Sequence, residues 1–129
     1  MAKQEIQGKG FPAPRSLFSR GIVISNPQKV IFLSGVGSYK GGGIKEQTRE
    51  VYQTITALLK EAGASWSNVV RVLFFMRDVD RDFEEFDKVR REFFKHEGIQ
   101  PPYPASTGVQ ARMIPPGLLL EMEVTAVID

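Results

Sequence analysis

The 129-residue chain contains no cysteine, which excludes disulfides, cysteine-ligated zinc, iron–sulfur clusters and thiol catalysis together. Its single histidine, His96, leaves no basis for a histidine-rich metal site and argues against a Ser-His-Asp triad. An excess of one charge is also missing, since 17 Lys and Arg stand against 15 Asp and Glu, a formal net charge of +2. The basic residues alternate with acids, as in Lys45-Glu46, Arg49-Glu50 and Arg90-Arg91-Glu92, instead of forming the positive stripe of a nucleic-acid binder. No apolar leader opens the chain, and no apolar run approaches the roughly 20 residues of a membrane span. The expected protein is cytoplasmic, with neither nucleic acid nor membrane as partner.

What is present is ordinary globular material, 42% hydrophobic and 25% charged. The length suits one domain, 1–129, that removes about two-thirds of its unfolded surface from water. Residues 1–17, with Lys, Gln, Gly and proline breaks, read as an irregular N-terminal arm. Phe18–Ser25 and Lys29–Ser34 are aliphatic and β-branched, and Asn26-Pro27-Gln28 between them suggests a hairpin. A glycine-loaded stretch, Gly35 to Gly43, precedes an amphipathic helix over Ile44–Ala62, whose apolar residues recur at three- and four-residue intervals up to Gly63. Asn68–Arg77 reads as a buried strand, with Trp66 and Ser67 capping its approach, and Arg81–His96 as a second helix stopped by Gly98. After the stiff Pro101-Pro102-Tyr103-Pro104 come two strands, Ala105–Met113 and Leu118–Ile128. The order is ββαβαββ, a mixed sheet with both helices on one face.

The last strand separates by parity. Leu120, Met122, Val124, Ala126 and Ile128 form an all-apolar set that should meet the helices, so Glu121 and Glu123 turn to the opposite face. Leu119 and Val127 keep that face half apolar, and a symmetric homo-oligomer is a common way to cover such a surface.

Leu33-Ser34-Gly35 ending strand two, Glu61-Ala62-Gly63-Ala64 closing helix one, Tyr103-Pro104-Ala105 entering strand four and Leu120-Glu121-Met122-Glu123 in the last strand together resemble the RidA (YjgF/YER057c) family. Each motif alone is weak; their ordered combination, from about Phe11 to Ile128, is specific. The resemblance implies an α+β, chorismate-mutase-like fold and a homotrimer with small-molecule clefts between subunits. It also implies hydrolysis of reactive enamines and imines to carbonyl compounds and ammonia, with no cofactor and no metal. The family's acidic residue falls on Glu121 and its cleft backbone on Ser34 and Gly35, while Phe18 stands for a usual tyrosine and Asp87 for an asparagine. Ser106 occupies the place of a carboxylate-clamping arginine and Gly108 that of a cysteine, which marks an atypical member whose substrate is not the usual 2-imino acid.

Weighed by its chemistry, Glu121 is the first choice as catalytic residue, because one carboxyl group that holds and moves a proton serves both enamine protonation and water attack. Its alternative is a structural carboxylate across the subunit interface. Ser106, Thr107 and Gly108 offer hydroxyls and backbone N–H groups for a substrate oxygen, or else are edge-strand polarity with a glycine bulge. The Gly35–Gly43 loop has Lys40 where a dinucleotide fingerprint needs glycine and lacks the Gly-Lys-Ser/Thr of a P-loop. It reads as a mobile rim from which Tyr39 and Lys40 reach the ligand, or as a plain turn. Phe18, Leu33 and Val36 would shape an apolar pocket. Asp87 reads as a solvated helical acid in preference to a ligand contact, and His96 as a partner of the helix dipole. The competing functions are a non-catalytic metabolite-binding protein on the same scaffold and an RNA-cleaving translation inhibitor, an endoribonuclease.

Overall fold

The two segments richest in apolar and β-branched residues, Val69–Met76 and Leu120–Ile128, lie side by side at the centre of a five-stranded sheet. The computed structural model, which describes residues 2–129, runs β1 (Ala2–Ile6), β2 (Gly21–Ser25), β3 (Lys29–Phe32), β4 (Val36–Gly37), α1 (Ile44–Glu61), a 3₁₀ turn (Trp66–Asn68), β5 (Val69–Met76), α2 (Val79–Glu97), β6 (Ala105–Gln110) and β7 (Leu120–Ile128). The main sheet has the order β3-β7-β5-β6, and β4 continues along the same edge of β7. β5 and β6 are parallel and joined by α2, as a crossover requires; the other pairings are antiparallel. This is the expected α+β fold with a mixed sheet and two helices.

Alternation along β7 sets up the core. Leu120, Met122, Val124 and Ala126 are buried with Val72, Phe74 and Met76 of β5, against Val51, Ile55 and Leu59 of α1 and Phe86 and Phe94 of α2. At about 25 cal/mol per Å² of apolar surface, each large side chain sealed here contributes on the order of 2 kcal/mol. The alternation slips at the strand end, where Val127 rather than Ile128 is fully buried. The buried Gln47 ties the layers together: its amide donates to the carbonyls of Gly42 and Gly117 and accepts from the N–H of Leu119. Asp78 caps α2 by accepting from the Arg81 N–H, and Gly98, at φ 66°, ends it in the left-handed conformation that suits glycine.

Two sequence expectations need correction. The arm 1–17 is not irregular throughout, because Ala2–Ile6 forms β1. The expected hairpin does not form either: β2 pairs with β1 as a separate two-stranded ribbon, while β3 joins β7. Strand propensity is local, but the choice of partner is tertiary, and Lys3-Gln4-Glu5 hid a strand because a solvent-facing ribbon tolerates polar residues that a central strand does not. The ribbon is anchored at the β6 edge by a bridge from Ser19 to Ala105.

Candidate functional site

Glu121 points away from the helices, as parity predicts, since its neighbours Leu120 and Met122 are buried in the core. It lies opposite Gly37 of β4 on one side and Phe75 of β5 on the other. Leu33 still donates its N–H to the carbonyl of Val124 and Val36 pairs with Met122, so Ser34 and Gly35 bulge out between these contacts and are exposed. The Glu121 side chain rests against this bulge. A Cβ on Gly35 would stand 2.7 Å from its Oε2 and 2.9 Å from its Cδ, so only glycine permits the approach. Among the described residues the carboxylate has neither hydrogen-bond nor ion-pair partner, which leaves both oxygens available.

A second group gathers at the β6 edge. Ser106 pairs with Val72, a buried residue of the helix-facing set, and therefore faces the helices. With Leu17, Phe74, Arg90 and Pro104 it lines a cavity of about 10 Å³, the space of one water molecule. Phe18, half-buried, precedes Ser19, whose N–H donates to the carbonyl of Pro104 (3.1 Å) and whose hydroxyl donates to that of Tyr103. Asp87 is engaged rather than free. Its Oδ1 accepts from Arg90 Nε (3.0 Å) and Nη2 (2.5 Å), and its Oδ2 accepts from Arg91 Nε (2.9 Å). Burial by itself would raise the Asp87 carboxyl, but the hydrogen bonds from Arg90 and Arg91 outweigh it and hold the group below the ordinary carboxylate range.

An expectation from the sequence was that Ser106, Thr107 and Gly108 stand beside Glu121 on the neighbouring strand, and the sheet order corrects this. β5 lies between β6 and β7, and Ser106 and Gly108 occupy the opposite face from Glu121. Thr107 shares the Glu121 face, but two strand spacings, about 10 Å, separate their strands. Gly108 is not a bulge, because it keeps register with Phe74, whose ring lies across it, 2.2 Å from where a Cβ would be. Val36 does not line a pocket: it pairs with the buried Met122, and its side chain packs into the core. Leu33 also packs against the core. Tyr39 is 91% exposed, its ring in solvent.

The glycine-rich segment is tied down rather than forming a loose rim. Glu50 of α1 accepts from the Ser38 hydroxyl (2.5 Å), the Tyr39 N–H (2.7 Å) and the Lys40 N–H (3.2 Å). The Ser38 hydroxyl, then the Tyr39 amide, holds the Glu50 carboxyl below its usual range. Sequence reasoning took Glu50 for a member of a mixed-charge surface and missed this clamp. It also missed Arg90, although a signal existed: Phe86, Arg90 and Phe94 recur every four residues, which puts the arginine on the apolar stripe of α2. Among the described residues no three histidine, aspartate or glutamate side chains gather as a metal site, and no helix is long and apolar enough to cross a membrane.

Residues 10–128 match the family model described as Endoribonuclease L-PSP. The chain is 35% identical to a RutC family protein of Pyrococcus abyssi, over 98% of each chain. It is 27% identical to the 2-iminobutanoate/2-iminopropanoate deaminase of Dermatophagoides farinae, over 92% of this chain and 91% of the relative. Among solved structures it resembles a YjgF family protein of Neisseria meningitidis, NMB1025, with a TM-score of 0.70 and 28% identity over 92% of this chain and 91% of the other.

Proposed function

Because the chain belongs to the Endoribonuclease L-PSP family, the group also called RidA, YjgF, YER057c or UK114, we propose that it hydrolyses a reactive enamine or imine to a carbonyl compound and ammonia, without a cofactor, in clefts between the subunits of a homotrimer. The observation that carries this reading is the unengaged Glu121 carboxylate resting on the exposed Ser34-Gly35 backbone. A second observation supports the shared cleft. Glu121, Ser34 and Gly35 lie on one side of the sheet, and Phe18, Asp87 and Ser106 belong to the helix side and the β6 edge. One chain therefore holds two half-sites that it cannot close on each other, and a neighbouring copy supplies the missing half.

The chemistry needs one proton carrier. The Glu121 carboxyl protonates the enamine carbon to give an iminium ion; the resulting carboxylate takes a proton from water as its oxygen adds to the iminium carbon. That proton passes to nitrogen, the C–N bond breaks with its electron pair leaving on ammonia, and the hydroxyl proton returns to the Glu121 carboxylate as the carbonyl forms, which restores the starting acid. Backbone N–H groups at Ser34 and Gly35 are suited to a substrate oxygen where charge develops. On the neighbouring half, Ser106 binds another oxygen and Phe18 supplies an apolar wall. Ser106 stands where the family's arginine would clamp a carboxylate, and a hydroxyl cannot make the bidentate, charge-assisted bonds of a guanidinium. The substrate accordingly differs from the small 2-imino acids named for the deaminase relative.

The test is ammonia release from a panel of enamines generated in situ. Wild-type protein is expected to exceed Glu121→Ala by about 10²-fold or more, the usual worth of a positioned acid–base group. Equal rates for the two proteins would remove the reading. The absence of the arginine from position 106 favours one competitor, a metabolite-binding protein without turnover, for which ligand would bind wild type and Glu121→Ala alike with no ammonia released from either.

A further inference from the structure

We infer that Arg90 is the anion-binding guanidinium of this cleft, reaching from α2 to the small cavity that Ser106 also lines, and that the ligand carries a carboxylate. The inference rests on the proposed cleft for its location, and on four features of the structure for its chemistry. First, the Arg90 side chain, a guanidinium, is only 6% exposed. The rings of Phe74, Phe83 and Phe86 surround it, their centroids 5.8, 5.9 and 5.1 Å from its Cζ, so the guanidinium is held in place before any ligand arrives.

Second, Asp87 accepts from both Nε and Nη2 of Arg90, which fixes the orientation of the guanidinium from one side. Third, the guanidinium is partly committed but not filled: Nε and Nη2 serve Asp87 and the Ser16 hydroxyl, and Nη1 lies outside those bonds. Fourth, Arg90 and Ser106 line the same water-sized cavity, with Leu17 and Pro104 as apolar walls. A hydroxyl-bearing and a guanidinium-bearing residue that line room for one oxygen suit one oxygen of a carboxylate better than a neutral carbonyl, because the charge-assisted bond is about twice as strong. The serine on the strand and the arginine on the helix thus act together.

Equilibrium binding of butanoate and of butanamide, the same carbon skeleton with and without charge, tests this on the full-length protein. Wild type is expected to prefer butanoate at least tenfold. Arg90→Lys keeps a positive charge but loses the planar fork, and should reduce that preference to threefold or less; Arg91→Gln, a half-exposed neighbour, should leave it unchanged. If Arg90→Lys fails to fold, Ser106→Ala carries the test and should weaken butanoate binding about tenfold with little effect on butanamide. Wild type that does not distinguish the probes or binds neither overturns the inference, as does a folded Arg90→Lys with the wild-type preference or an unaffected Ser106→Ala. Binding is read without turnover, so a protein that releases no ammonia yet keeps an Arg90-dependent preference refutes the deaminase and not the anion site.

Discussion

Gly35 and Gly108, both exposed, are glycines for different reasons, and substitution separates them. At Gly108 a Cβ would meet the Phe74 ring at 2.2 Å, and that ring is itself packed against Phe86, with centroids 5.0 Å apart. Neither ring has room to retreat, so Gly108→Ala is expected to lose about 1–3 kcal/mol by overpacking, measured as a lower urea midpoint. At Gly35 the obstacle is the far end of the flexible Glu121 side chain. Gly35→Ala should leave the urea midpoint within about 0.5 kcal/mol of wild type while displacing the carboxyl group and lowering ammonia release. At this scale the sequence was informative about identity and weak about surroundings. Glu121 and its outward direction followed from the parity of one strand, whereas the seat of Gly108 depends on a ring from the neighbouring strand.

Among the elements, the segment between β4 and α1 shows how a loop beside a candidate site is held. Its glycines suggested mobility, yet one carboxylate from the second turn of α1 accepts three hydrogen bonds from Ser38, Tyr39 and Lys40. Glu50→Gln weakens these charge-assisted bonds, and hydrogen exchange at the Tyr39 and Lys40 amides should become faster, with the α1 interior unchanged. The pH dependence has a definite sign. The Glu50 carboxyl is held below its ordinary value, so the clamp is fully present above about pH 4.3, the unfolded value, and is lost as pH falls through the lowered folded one. Exchange at those two amides, corrected for intrinsic rates, should rise on acidification in wild type and not in Glu50→Gln. Both helices were legible to within two residues because a 3.6-residue period and a glycine stop are local signals. The pairing of β2 with β1 was not, because nothing in either segment encodes its distant partner.

For the whole molecule, the outer face of the main sheet demands an explanation. Phe32 is 79% exposed on it, Val30 and Val109 are each more than two-fifths exposed, and Phe75 and Leu73 of the central strand β5 are only half covered. Apolar surface of this kind on a sheet face is what an oligomer buries. Phe32→Glu should shift the protein from the proposed trimer to monomer, read as a threefold drop in mass by light scattering, with helix content preserved; a wild type that is already monomeric would undo the shared cleft. The sequence by itself determined the α+β class, the two helices, the apolar and acidic faces of the last strand and the exclusion of cysteine chemistry, because each of these depends on residue type and short periodicity. Only the tertiary structure decided that β5 separates Ser106 from Glu121, that Asp87 is already bound by two arginines, and that Arg90 is buried and lines a small cavity together with Ser106. Strand order and side-chain neighbours arise from contacts between residues far apart in the chain, and no local pattern carries that information.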